Sequence, residues 1–339
     1  MQSGSSEKGE MHVHGKSETK RLTVNIRALF LKSGLLMVFI LIALIFAVFT
    51  KGTFIRPSNI INILIQCTVV GILAIGMSMV IIDRGIDLSV GGTAVFASAI
   101  GAILMVKLGV PWPIIVVLML LIGLGLGFLN GISIAYLRMA PFICTLATMK
   151  ITQGFAQFIL GGQTVFGFPD AYSVFGQGSL LLIPISVWIL VVLSVAGFIL
   201  LKYTFFGREL YAMGGNPQAA WLSGIAVNRN RIIIYMISGL MAGVAAIIIT
   251  SRIMCAQILI AQGSELDAIA ASVIGGVSLS GGEGGVFGAV TGAVIIVMIN
   301  NGLNLLGVSP FLQTAVKGLV IFAAITLDIL RAGKQRRTT

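Results

Sequence analysis

The segment KYTFFGRELYAMGGNPQAAWLSGIAVNRNR, residues 202–231, decides how the rest of the chain is read. It is a polar interruption between two long apolar blocks and carries Lys202, Arg208, Arg229 and Arg231, the pair Gly214–Gly215 and the step Asn216–Pro217. Apolar runs of about 20 residues are the length needed to cross the hydrocarbon core as a helix. The polar stretch between two such runs must therefore lie in water on one side of a membrane, and its positive charge selects the cytoplasmic side. Its simplest role is to connect two spans. The local chemistry argues for more: Asn followed by Pro is a favourable helix start, so a short helix is expected over 217–223 with Trp221 upon it.

Composition agrees with a membrane location. The 339 residues are 57% hydrophobic and only 10% charged, with a mean hydropathy of +1.06. Soluble domains carry about 25% charged residues, and a single soluble core has no means of hiding so much apolar surface. Repeated long apolar runs indicate an all-α integral membrane protein rather than a barrel. A net charge of +11 would suggest nucleic acid in a soluble chain. Here the basic residues flank apolar runs, so they report orientation, and the bilayer rather than nucleic acid is the expected partner. Forty-two glycines suit the close helix packing that small residues permit in lipid.

The chemistry of soluble enzymes is missing from the pattern. Cys67, Cys144 and Cys255 lie in or beside apolar stretches without CxxC spacing and read as small buried hydrophobes. His12 and His14 sit in a polar tail, and no histidine follows them. Gly15-Lys16-Ser17 resembles the end of a phosphate loop, yet Gly9 is one residue too distant and no strand precedes it. No catalytic set, metal site, nucleotide site or cofactor is expected.

Ten spans are expected, approximately at 34–50, 60–82, 87–106, 112–136, 141–160, 181–201, 232–251, 266–280, 284–305 and 311–330. With both termini in the cytoplasm, sixteen of the 22 lysines and arginines lie inside, in the tail 1–32, at Arg84 and Arg138, in 202–231 and at the C-terminus. An odd number of spans would put one basic terminus outside. The expected organisation is a polar cytoplasmic tail (1–32), one membrane domain (33–331) with a cytoplasmic loop 202–231 and an external loop 161–179, and a basic cytoplasmic tail (332–339). The apolar run after residue 32 shows no small-residue cleavage site and reads as a retained helix. Around 252–283, broken by Gly263, Glu265 and Asp267, a discontinuous or re-entrant helix is the alternative; the glycine-rich stretch 85–92 invites the same one. GIDLSVGGTAVFASAIGA (85–102) also echoes GVSLSGGEGGVFGAVTGA (276–293) at 8 of 18 positions, and transporters are often built from repeats.

The polar residues within or beside spans are the candidates for a solute route. Asp83, Asp87, Glu265 and Asp267 sit near span ends, where a carboxylate faces a partner or a watery path. The bland readings are a solvated Asp83–Arg84 pair and helix capping by Asp87. Ser89, Asn301 and Asn304 join Asp87, Glu265 and Asp267 as candidate route residues; Asn301 and Asn304 share one helical face, where interhelical hydrogen bonding is the commoner outcome. Lys150 and Lys317 can snorkel or pair with these acids. The aromatic, glycine-rich loop 161–179 either connects spans or meets an external protein.

Five stretches in order, GIDLSVGG (85–92), NGISIAYLRMAPFICTLATM (130–149), FGRELYAMGGNPQAAWLSGI (206–225), GSELDAIAASVIGG (263–276) and NGLNLLGVSPFLQTAVKGLVIFAAITLD (301–328), resemble the permease subunit of bacterial ABC importers for ribose, xylose and related simple sugars. The resemblance implies ten spans, a permease homodimer with a heterodimer as the alternative, a cytoplasmic ATPase subunit and a periplasmic or lipid-anchored sugar-binding protein. It also implies that Gly207 to Gly224 contains the coupling helix that docks on the ATPase, with Gly207, Arg208, Gly214, Gly215, Asn216, Pro217, Ala219, Ala220, Trp221 and Gly224 as its residues. Asp83-Arg84, Ser264 and Lys150 depart from the family pattern and bear on solute choice. A secondary transporter or facilitator with a proton site at Asp87, Glu265 or Asp267 is the alternative function.

Overall fold

The structure, a computed structural model, describes residues 37–335; the expected tail 1–32 and the end of the expected tail 332–339 lie outside the described residues. The chain runs through helices α1 (Met37–Phe49), α2 (Pro57–Ile82), α3 (Ser89–Ala102, continued by a π-turn to Lys107), α4 (Trp112–Ala135) and α5 (Pro141–Leu160). After the short α6 (Val174–Gln177) come α7 (Ile185–Tyr203), α8 (Phe205–Gly215), α9 (Pro217–Leu222), α10 (Val227–Ile253), α11 (Ser264–Ile274), α12 (Val286–Leu305) and α13 (Pro310–Gln335). Proline stands in the first turn of α2, α4, α5, α9 and α13, where its fixed φ is already helical and its missing N–H costs nothing. Six described helices, α2, α3, α4, α7, α10 and α12, are long and apolar enough to cross a membrane by length and composition.

The expected span 266–280 is not a span-length helix. α11 stops at Ile274 after 11 residues, about 16 Å of helix against a hydrocarbon core of about 30 Å. Gly276, at φ +89°, turns the chain into an extended loop that runs to Gly285. Turns and β4 (Cys255–Ala256) precede α11, so the discontinuous alternative describes this region. The two halves of the sequence echo differ here: the first copy is helical from Ser89, whereas its counterpart remains a loop until Val286.

α2 is the central helix. From Cys67 to Ile82 it is buried without interruption, packed among α7, α10, α11 and α12. α4 lies against α10 through glycines four residues apart. A Cβ on Gly123 would come within 2.2 Å of the Gly239 carbonyl oxygen, one on Gly127 within 2.2 Å of the Tyr235 oxygen, and one on Gly131 within 2.7 Å of Ile232 Cα. Only hydrogen fits at such distances, so this small-xxx-small ladder sets the spacing of the two backbones. Gly275 of the α11 end and Gly288 of α12 meet in the same manner.

The two expected loops sit at opposite ends of α10, which at 27 residues is about 40 Å long. At its C-terminal end, loop 161–179 folds down onto the helix. β1 (Val165–Phe166) pairs antiparallel with β4, Tyr172 is fully buried with its hydroxyl 2.7 Å from Thr250 Oγ1, and Ser251 Oγ donates to the Tyr172 carbonyl at 2.6 Å. A short hairpin, β2 (Ser179–Leu180) with β3 (Ile183–Pro184), leads into α7. Segment 202–231 occupies the N-terminal end of α10.

Candidate functional site

Segment 202–231 folds as two helices and a corner. Thr204 Oγ1 accepts from the Gly207 N–H at 3.2 Å and caps α8. Gly207 is required at the corner with α7, since a Cβ there would lie 2.0 Å from the Leu201 carbonyl oxygen. Arg208 stands over the Phe205 ring, 4.4 Å from its centroid. Inward, Asn230 Nδ2 donates to Glu209 Oε2 at 2.6 Å, and the Tyr211 hydroxyl donates to the Gly284 carbonyl at 2.8 Å; burial pushes the Tyr211 phenol up.

The expected short helix is α9. Asn216 Oδ1 accepts from the N–H groups of Gln218 and Ala219, both at 3.1 Å, Pro217 takes the first helical position, and Gly224 at φ +85° ends the turn. Ala220 faces inward and Ala219 is exposed, while Trp221 and Leu222 are 66% and 73% exposed. Two large apolar side chains held outward by a capped helix at a polar end of the protein make a surface suited to a partner. Gly215 faces open space, whereas Gly214 rests on α2, where a Cβ would lie 1.9 Å from the Ile82 carbonyl oxygen.

The end of α2 shows a different pairing from that expected. Asp83 and Arg84 do not pair with each other. Asp83 is 5% exposed and accepts from Arg231 Nε at 2.7 Å; Arg84 turns away and donates through Nε to the Gly214 carbonyl at 2.6 Å and through Nη2 to the Gly215 carbonyl. Burial raises the Asp83 carboxyl above its ordinary value, and the Arg231 hydrogen bond and charge, with the charge of Arg84, act against that rise. Arg84, Arg138, Arg231, Asp83, Asn228 and Pro217 are among the residues lining an open cavity of about 470 Å³ beside α9.

The candidate route residues separate into distinct places. Asp87, wholly buried, accepts from Ser89 N–H (2.9 Å), Ser89 Oγ (2.5 Å) and Ser238 Oγ (2.7 Å). Ser89 Oγ accepts from Asn130 Nδ2 at 2.9 Å, and Asn130 Oδ1 accepts from Thr148 Oγ1 at 2.6 Å. This network joins α3, α4, α5 and α10 entirely through neutral donors to one carboxylate, and Asp87, one residue before the N-cap Leu88, holds the N–H of the first helical residue, Ser89. Asn130, Thr148 and Ser238 escaped the sequence reading because each stands on a different helix, far from the others along the chain; the signal available was Asn130 inside an apolar run.

Glu265, in the first turn of α11, reaches α3, where a Cβ on Gly91 would lie 2.3 Å from its Oε2. Asp267 pairs with Lys317 of α13 at 3.0 Å. Lys150 is exposed on α5 beside an open groove of about 400 Å³ with Ile151, Gly154, Phe155 and Phe158. Asn301 exchanges hydrogen bonds with Asn59 of α2 at 2.9 and 3.0 Å, and Asn304 Oδ1 accepts from Gln313 Nε2 at 2.8 Å. Those two asparagines are therefore interhelical ties. The three cysteines are buried and free, and among the described residues no group of His, Cys, Asp or Glu is arranged to hold a metal.

Comparison with known proteins gives the context for this arrangement. The ribose import permease protein RbsC of Bacillus subtilis (strain 168) is 42% identical over 297 residues, covering 87% of this chain and 90% of the relative. RbsC of Escherichia coli (strain K12) is 40% identical over 314 residues, with 90% and 98% covered. The galactose/methyl galactoside import permease protein MglC of the same strain is 36% identical over 326 residues, with 91% and 97% covered. No solved structure matches the chain at significance. The family described as branched-chain amino acid transport system / permease component matches residues 59–325. With the helical membrane fold and similarity to import permeases over about nine-tenths of its length, the chain belongs to that permease family.

Proposed function

We propose that this chain is the permease subunit of an ATP-binding-cassette importer that carries a simple sugar, ribose, xylose or a related monosaccharide, across the bacterial inner membrane. The observation that carries the reading is the alignment over about nine-tenths of the chain with import permeases named for ribose and galactose. ATP is hydrolysed by a separate cytoplasmic subunit, which receives α9 with Trp221 and Leu222. A periplasmic or lipid-anchored binding protein delivers the solute to the opposite face, and the permease works as a homodimer. Energetically, the ATPase drives the change by contacting the permease differently in its ATP-bound and ATP-free states.

The same reading has ten membrane crossings with both termini cytoplasmic, residues 33–331 forming one membrane domain between the tails 1–32 and 332–339. It is supported by helices at each of the ten expected positions, by the placement of 161–179 and 202–231 at opposite ends of α10, and by the bias of Lys and Arg toward one side. α11 completes its crossing with the irregular segments on either side of it, where Cys255, Ala256, Ile260, Ala261, Val277 and Ser278 are buried.

Reconstituted vesicles test the function. With the ATPase and the sugar-loaded binding protein present, uptake should require ATP and survive collapse of the proton gradient. Uptake that persists without the ATPase and stops with the gradient would establish a secondary transporter instead. Deletion of Pro217–Gly224 should leave membrane insertion intact and abolish co-purification of the ATPase; co-purification at normal yield would sink the docking assignment.

A further inference from the structure

We propose that Arg84 is a positioning residue that ties the docking segment to α2, so that movement of α9 is passed to the central helix. The inference rests on the reading of α9 as the ATPase-docking helix. Its basis is the junction at the end of α2, where three chain segments meet with almost no side-chain padding. The Ile82 carbonyl accepts from the Gly282 N–H at 2.9 Å. Gly214 lies directly on that same oxygen, and a Cβ on Gly281 would come within 2.7 Å of the Gly214 oxygen. Contacts of this kind leave no slack, because a close-packed backbone junction shifts as a unit or breaks.

Arg84 closes the junction. Its guanidinium donates to two successive carbonyls, Gly214 and Gly215, at the C-terminal end of α8, one residue before the cap of α9. The negative end of a helix dipole and its unpaired carbonyls favour a cation there, and a planar fork meets two adjacent oxygens as an ammonium does not. Arg84 itself has φ +63°, the left-handed conformation in which helices commonly end, and from this turn its side chain reaches the end of α8.

Both sides of the tie suit a transmission role. α2 is buried along most of its length and contacts four other long or discontinuous helices, so a displacement at Asp83–Arg84 is felt across the membrane domain. On the other side, α8 and α9 follow each other through Asn216 with no intervening loop. Asp83–Arg231 and Asn230–Glu209 fasten the start of α10 to the same junction.

The test compares three quantities in vesicles holding the complete transporter: ATPase co-purified per permease, ATP hydrolysed, and sugar taken up per ATP. Arg84→Ala should retain the ATPase at normal yield and hydrolyse ATP within about twofold of the parent, while uptake per ATP falls tenfold or more. Arg84→Lys, able to meet one carbonyl well, should recover part of the loss. Arg138→Gln, from the same cavity but without a side-chain hydrogen bond among the described residues, should leave all three unchanged. Should Arg84→Ala fail to insert, Arg84→Gln carries the same measurement. Unchanged uptake per ATP would overturn the proposal. So would hydrolysis and uptake falling in proportion, since that is the signature of a merely structural cap. If the ATPase stays bound after deletion of α9, the docking assignment itself fails, and that result is read without any Arg84 variant.

Discussion

Replacing Asn216 with alanine isolates the preformed shape of α9 from its contact surface. The substitution removes the one oxygen that accepts from both Gln218 and Ala219 N–H at 3.1 Å, and it leaves Trp221 and Leu222 untouched. Loss of an N-cap costs about 1 kcal/mol. A helix of six residues is far shorter than the 12–15 or so that are marginal in isolation, so no internal reserve offsets the loss; Pro217 and Gly224 still favour the turn at its two ends. If the ATPase recognises only the helical form, about 1 kcal/mol corresponds to an affinity roughly fivefold weaker. Asn216→Ser, which keeps a capping oxygen, should remain within about twofold of the parent. Titrating purified ATPase onto the permease in nanodiscs reads the difference directly. Parent-like binding by Asn216→Ala would refute the reasoning, as would equal weakening by Asn216→Ser, because the effect would then belong to the asparagine and not to the cap.

Three further comparisons probe the frame. Asp83→Ala leaves Arg231 without its buried partner and should lower stability by about 3 kcal/mol, the low end for a broken buried pair because Arg231 is partly exposed; thermal unfolding in detergent should show much of this recovered by the double change with Arg231→Met. Gly127→Leu places a side chain where even a Cβ would lie 2.2 Å from the Tyr235 oxygen and should prevent α4 from seating on α10, whereas Gly125→Leu, into open space, should be tolerated; size-exclusion profiles of the two proteins separate these outcomes. Asn59→Ala and Asn301→Ala should show a coupling of about 0.6–2 kcal/mol in a double-mutant cycle, and independent effects would mean that their mutual hydrogen bonds do not hold α2 to α12.

Features with local causes were legible along the chain. Apolar runs of sufficient length place the long helices, prolines mark four of their starts, and Asn216–Pro217 opens a short helix because the cap and the N–H groups it serves lie within three residues of each other. Motif order likewise pointed to the permease family. The tertiary structure decided the partners. Asp83 has a neighbouring arginine in sequence, yet it pairs with Arg231, 148 residues away, and Arg84 goes instead to the carbonyls of Gly214 and Gly215. Asp87 draws its donors from Ser89 and from Ser238, and the network extends through Asn130 to Thr148, residues that meet only when four helices converge. Asn301 exchanges hydrogen bonds with Asn59, 242 residues away, and α11 is shorter than its apolar stretch suggested. Hydropathy and capping act over one or two helical turns and can be read along the chain. The choice of partner for a buried charge depends on which desolvated group stands within about 3 Å, and only packing sets that distance.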